Sequence, residues 1–143
     1  HLGSTGSAGE IAHQILKPGG QKCGCGSNGC AETLTNSAAI AKIAGTKTSE
    51  EAYKKAVAGD QQALTAFKEV GYWISIALTN VMVMLAPDAI IIGGGVAQSG
   101  DIWLNEIRAQ MALTPERSDY TSIQQRLGKA IHCAFYGELL PFA

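Results

Sequence analysis

Three of the four cysteines in this 143-residue chain fall within eight residues, Cys23-Gly24-Cys25-Gly26-Ser27-Asn28-Gly29-Cys30. The stretch that carries them, residues 1–30, is dense in glycine and shows little apolar periodicity, so no hydrophobic core of its own can hold it in place. A metal ion would. Zinc takes four soft or borderline ligands in a tetrahedron; Cys23, Cys25 and Cys30 offer three thiolates, and Gly24, Gly26 and Gly29 permit a tight backbone. The leading candidate for the fourth ligand is His13, with Pro18-Gly19-Gly20 as a turn between, while His132 and Cys133 in the last segment compete for the place. Four protein ligands leave no open position, which makes such a site structural. Two other readings are a disulfide pairing, which the clustering disfavours, and three reduced surface cysteines. Clustered ligating thiols also fit a reducing, cytoplasmic location.

The rest of the chain is of ordinary globular character, with 46% hydrophobic and 16% charged residues, and its length suits one domain over residues 1–143. A net charge of −1 gives no electrostatic footprint for nucleic acid or an anionic membrane. The longest apolar run, Trp73 to Ala86, is interrupted by Ser75, Thr79 and Asn80 and is shorter than the ~20 residues that span a bilayer. The first residues lack the basic and apolar regions of a secretion signal, and there is no initiator Met. That start is what a chain beginning inside a larger protein would show.

After the entry segment (residues 1–32), residues 33–143 read as helices around one strand. Leu34, Ala38, Ala41 and Ile43 predict a helix from Ala31 to Ala44, stopped by Gly45. Thr48-Ser49-Glu50-Glu51 matches a capping box, opening a short helix to about Ala58. Asp60 is a cap for the longest helix, about Gln61 to Leu85, on which Leu64, Phe67, Gly71, Ile74, Leu78, Val81 and Leu85 share a face. Trp73, Ala77, Met82 and Met84 widen that surface, so its second half is expected to be buried on most sides. Ala89-Ile90-Ile91-Ile92 has the β-branched continuity of a strand covered on both faces. Gly93-Gly94-Gly95 follows it, then a helix over about Gly100 to Ala112, with Ser99 or Asp101 near its start. A strand over Tyr120 to Arg126 and a helix over Lys129 to Leu140 complete an α/β expectation.

Two carboxylates flank the metal loop. Glu10 precedes His13 by three residues and Glu32 follows Cys30 by two. Paired acceptors suit vicinal hydroxyls, and a metal-bound imidazole keeps a second ring nitrogen that can donate to a ligand. Both acids read equally well as helix caps or solvated groups, and the glycine triplet as a plain strand-to-helix turn.

The string Ala8-Gly9-Glu10-Ile11-Ala12-His13, followed by Cys23-Gly24-Cys25-Gly26-Ser27-Asn28-Gly29-Cys30-Ala31-Glu32, closely resembles the signature of the ROK (repressor, open reading frame, kinase) family. That signature usually reads Gly-Glu-x-Gly-His and then Cys-x-Cys-Gly-x-x-Gly-Cys-x-Glu. Ile91-Ile92-Gly93-Gly94-Gly95-Val96 resembles the family's second nucleotide-contacting glycine turn. Ala12 stands where the family has Gly, and Ala31 where it has a larger apolar residue. The resemblance implies the C-terminal lobe of an actin-like, ribonuclease H-like sugar kinase fold with a zinc-bound loop.

By the same resemblance, His13, Cys23, Cys25 and Cys30 hold a structural Zn²⁺, and Glu10, His13 and Glu32 contact a sugar. Gly93, Gly94 and Gly95 lie against the nucleotide. The implied activity of an intact parent is ATP- and Mg²⁺-dependent phosphorylation of a hexose or amino sugar, with a sugar-sensing transcriptional repressor as the alternative. The family's first phosphate loop, of Asp-x-Gly-x-Thr type, and the Asn-Asp motif that supplies the general base do not occur in this sequence. The chain alone is therefore expected to be inactive and to work with an N-terminal half of the same protein, and the resemblance also implies a homodimer.

Overall fold

The computed structural model describes residues 3–87, 89–112, 131–135 and 138–139. Among the described residues, five α-helices and a three-stranded sheet follow the glycine-rich entry segment: α1 (Ala31–Thr35), α2 (Ser37–Ala44), α3 (Ser49–Val57), α4 (Gln61–Leu85), β1 (Ile90–Ile92), α5 (Asp101–Ala112), β2 (Ile131–Phe135) and β3 (Glu138–Leu139). The helix α4 is the axis of the molecule, and α1, α2, α3 and α5 all pack on it.

Local chemistry sets the helix ends. Asp60 accepts from the Ala63 N–H at 2.8 Å and opens α4. At α3 the Thr48 hydroxyl accepts from the Glu51 N–H at 3.2 Å while the Glu51 carboxylate accepts from the Lys47 N–H at 3.0 Å, one residue earlier than a standard capping box. Gly45 closes α2 in the left-handed conformation, φ 63°. Gly100, φ 58°, precedes α5, its carbonyl taking the first hydrogen bonds from Trp103 and Leu104.

Small residues bring the helices close, and a few large ones fill what remains. Ala44, Ala52, Ala56, Ala63 and Ala66 are buried around Phe67, whose ring meets Tyr53 edge-on at 6.5 Å. Burial of a side chain such as Phe67 or Ile40 is worth roughly 1.5–3 kcal/mol. On the opposite flank α5 inserts Trp103, Leu104, Ile107 and Met111 against α4. Gly71 makes this approach possible, since a Cβ there would lie 3.1 Å from Cγ of Glu106.

The sheet has the order β1-β2-β3. β1 and β2 run parallel with Ile90 opposite Ile131 and Ile92 opposite Cys133, and β3 returns antiparallel to β2. β1, α5 and β2 thus form the strand, helix, parallel strand unit that a parallel pair requires.

Four expectations change. The helix expected over Ala31 to Ala44 is two helices, broken at Asn36 (φ −80°, ψ 169°), whose side chain accepts from the Ala39 N–H at 2.8 Å. An Asn side chain offers the backbone this alternative, and the apolar spacing across it hides the break. The segment expected as a helix over Lys129 to Leu140 contains β2 and β3 instead; short apolar runs fit either period, and the open edge of β1 decides. The end of α4 is not buried on most sides, for Val83, Met84 and Leu85 are exposed. Nor is β1 covered on both faces among the described residues, where Ile91 is 57% exposed. The strand expected over Tyr120 to Arg126 lies outside the described residues.

Replacing Asp60 by Ala should lower unfolding stability by about 1 kcal/mol, with Asp60→Asn close to wild type. Urea denaturation followed by circular dichroism measures the difference.

Candidate functional site

The entry segment is folded by backbone hydrogen bonds and not by apolar packing. A 3-10 turn over Ile11–His13 is closed by the His13 N–H donating to the Glu10 carbonyl at 3.1 Å. The chain then runs antiparallel to its own continuation: Ile15 bridges Cys30, and Leu16 and Lys17 donate to the Gly29 carbonyl at 2.9 and 3.1 Å. Lys22 bridges Asn28, and inside that bridge the Cys23 N–H donates to the Ser27 carbonyl at 2.8 Å, folding Cys23 to Ser27 into a tight turn. Gly29 has no substitute here. Its φ is 76°, and a Cβ would overlap the Lys17 carbonyl.

This folding brings His13, Cys23, Cys25 and Cys30 together, with one ligand atom from each within 4.8 Å of every other. Nδ1 of His13 lies 3.6 Å from Sγ of Cys23, and Sγ of Cys25 lies 3.6 Å from Sγ of Cys30. The edge of a zinc tetrahedron with metal–sulfur bonds of about 2.3 Å is about 3.7 Å. The donor set, three sulfurs and one imidazole nitrogen, is of the kind zinc prefers. Of the alternative ligands, His132 and Cys133 lie on β2.

The thiols differ in their surroundings. Cys23 and Cys30 are buried, and Cys25 is exposed. The Cys25 backbone N–H pulls the Cys23 thiol down, but a hydrogen bond to Glu32, burial and the neighbouring thiols outweigh it and push Cys23 up to about 12. Burial and the neighbouring Cys25 raise Cys30, while the Ser27 backbone N–H and the two other thiols lower Cys25. Near neutral pH, Cys23 therefore keeps its proton unless a cation displaces it.

Glu32, in the first turn of α1, belongs to the cluster: its Oε2 accepts from Sγ of Cys23 at 3.2 Å and lies 3.7 Å from Nδ1 of His13. Its side chain is 48% exposed, so the carboxylate borders both the cluster and solvent. Glu10 is also exposed, but its carboxylate makes no hydrogen bond to the cluster among the described residues. Gly93, Gly94 and Gly95 are exposed beyond the end of β1, with Gly94 at φ 96°, and a Cβ at any of them would meet nothing within 4 Å. Nothing crowds Gly93 or Gly95, and the turn presents bare backbone to solvent.

Two features here were not legible in the sequence. The Asn80 side chain, in the C-terminal half of α4, donates to Oε1 of Gln14 at 2.9 Å and ties the turn that carries His13 to the central helix. A groove of about 560 Å³ lies beside the loop, bordered by Lys17, Gln21, Asn36, Lys42, Glu69 and Trp73 among others. An Asn interrupting an apolar helix face was the one available signal for the first.

The ROK family model matches residues 1–128. A glucokinase of Halalkalibacterium halodurans is 33% identical over 74% of this chain and 38% of its own length. The xylose repressor of Bacillus spizizenii is 30% identical over 90% of this chain and 35% of its own length. The chain thus spans little more than a third of either relative. Among solved structures, the ROK family glucokinase from Streptomyces griseus in complex with glucose and AMPPNP superposes with a TM-score of 0.72 at 26% identity, covering 78% of this chain and 44% of that one. The ROK hexokinase from Thermus thermophilus also superposes with a TM-score of 0.72, at 25% identity, over 96% of this chain and 45% of that one. With the loop, the helices and the glycine turn all falling within the matched residues, this chain belongs to the ROK family.

Proposed function

We propose that the protein carrying this chain is an ATP-dependent sugar kinase of the ROK family, to which the chain contributes a structural zinc site, part of the sugar pocket and one side of the nucleotide site. The observation that carries this reading is the convergence of the His13, Cys23, Cys25 and Cys30 donor atoms within 4.8 Å, with the Glu32 carboxylate against them. The glucokinase relatives and the glucose-bound neighbour support the choice of substrate class.

Zinc held by these four donors would have no position for water, so its contribution is to fix the loop. Nδ1 is the nitrogen of His13 that faces Cys23, which leaves Nε2 to donate a hydrogen bond outward. Glu32, and Glu10 across the turn, would accept from sugar hydroxyls, each through a charge-assisted hydrogen bond worth about 1.5–3 kcal/mol. The bare backbone of Gly93 to Gly95 would let the nucleotide phosphates of Mg²⁺–ATP approach closely. Nothing in this sequence supplies the general base, which the reading places in an N-terminal half of the same protein. Cytoplasmic location and a homodimer belong to the same reading; no helix among the described residues is long and apolar enough to cross a membrane.

A second reading, the sugar-sensing part of a ROK repressor, is favoured by the 30% identity to a xylose repressor across 90% of the chain. The same pocket would then bind sugar without phosphoryl transfer.

Three measurements decide these points. Metal analysis of purified protein should find one zinc per chain, and Cys23→Ser should reduce that content severely; zinc-free protein with an ordered loop would refute the site. On the full-length protein, sugar-dependent ADP release separates kinase from repressor. Its absence with every common hexose and amino sugar, together with sugar-dependent DNA binding, would select the repressor. Glu32→Gln should raise the KM or Kd for sugar by roughly 10–100-fold, read by initial rates or calorimetry.

A further inference from the structure

We propose that Cys25 is an oxidant-modification site, at which peroxide closes a Cys25–Cys30 disulfide and thereby releases the metal ion. The metal-release half rests on the zinc reading above. The choice of sulfur pair rests on the Cys25–Cys30 distance and on the engagement of Cys23 by Glu32 and His13.

Among the four donors the burial is uneven. Cys23 and Cys30 are 4% and 0% exposed, whereas Cys25 faces solvent, so an oxidant reaches Cys25 first. Two thiols could then resolve the oxidised sulfur. Cys23 also neighbours Cys25, but its thiol is engaged by Glu32 at 3.2 Å and lies 3.6 Å from Nδ1 of His13, while Cys30 has its sulfur 3.6 Å from that of Cys25 and, among the described residues, no carboxylate holding it. A disulfide needs about 2.05 Å, so one sulfur must advance. Cys25 has the freedom to do so. It sits between Gly24 and Gly26, and a Cβ built at either glycine would meet nothing within 4 Å. Cys30, by contrast, is fixed at the start of α1 and in the bridge to Ile15.

The chemistry balances in two steps. Sγ of Cys25 attacks one peroxide oxygen and the O–O bond breaks, giving the sulfenic acid and one water. Sγ of Cys30 then attacks the Cys25 sulfur, the S–O bond breaks, and the leaving hydroxide takes the thiol proton as a second water. In total, two thiols are oxidised by two electrons and one peroxide is reduced to two waters. Two of the four donors are consumed, and Cys23 with His13 alone cannot complete the tetrahedral set that zinc requires. The loop loses its tie, and sugar affinity at Glu32 and His13 falls with it. A dithiol reductant and zinc reverse the change.

The test uses full-length protein in a Cys133→Ala background, treated with a few equivalents of hydrogen peroxide. Free thiols are alkylated before reduction and identified by peptide mass spectrometry, while released zinc is titrated with a chromophoric chelator. The expected result is that Cys23 is the alkylated thiol, that Cys25 and Cys30 are recovered only after reduction, and that one equivalent of zinc appears per disulfide. Dithiothreitol with zinc should restore the starting state, and Cys25→Ser should abolish the disulfide at the same dose. Recovery of Cys23 in the disulfide, sulfinic acid at Cys25 without a disulfide, or three reduced thiols would overturn the proposal. Protein that contains no zinc before oxidation would refute the metal reading, and the same mapping on that protein would still judge the sulfur pair.

Discussion

Everything at the candidate site depends on a backbone contact with no room for a side chain, the approach of Gly29 to the Lys17 carbonyl. That contact sets the strand-like segment after His13 against the one leading to Cys30, and the hydrogen bonds from Leu16 and Lys17 to the Gly29 carbonyl and from Ala31 to the Gln14 carbonyl hold it there. Without it, His13 and the cysteines would be separated by a loop with no apolar reason to close. The convergence of one nitrogen and three sulfurs is thus a product of glycine geometry first and of ligand chemistry second. A metal ion would strengthen an arrangement that the backbone already favours, at a place where burial and the adjacent Glu32 make uncompensated thiolates costly.

The helical body explains why such a loop can be positioned at all. The α4 helix carries core contacts on two flanks, with alanine-lined packing to α2 and α3 on one and the Gly71 approach to α5 on the other. Its Asn80 reaches the entry segment through Gln14, next to His13. The last turn of α1 is released at Asn36, which lets α1 keep Glu32 beside the cluster while α2 follows the groove of α4. A continuous helix from Ala31 to Ala44 would have to follow one direction for both tasks.

The ROK relatives include both kinases and repressors, and the chain spans little more than a third of the glucokinase and the xylose repressor described above. Both kinds of relative align with most of this chain, which holds the cysteine loop, the helical body and the glycine turn. A fold shared by kinases and repressors does not by itself choose between the two activities.

The sequence by itself determined whatever depends on local spacing. The metal-type donor cluster could be read from Cys23, Cys25 and Cys30, the bounds of α4 from Asp60 and its apolar period, and the turn after β1 from its glycines. Only the tertiary structure decided the rest. It placed Glu32 on the cluster and left the Glu10 carboxylate off it, split the first helix, and made strands of Ile131–Phe135 and Glu138–Leu139. Those outcomes turn on partners far away in sequence: an open edge on β1, a carbonyl twelve residues from Gly29, an amide on α4. Local propensity is nearly neutral at such positions, so the nonlocal contact carries the free energy that selects the conformation.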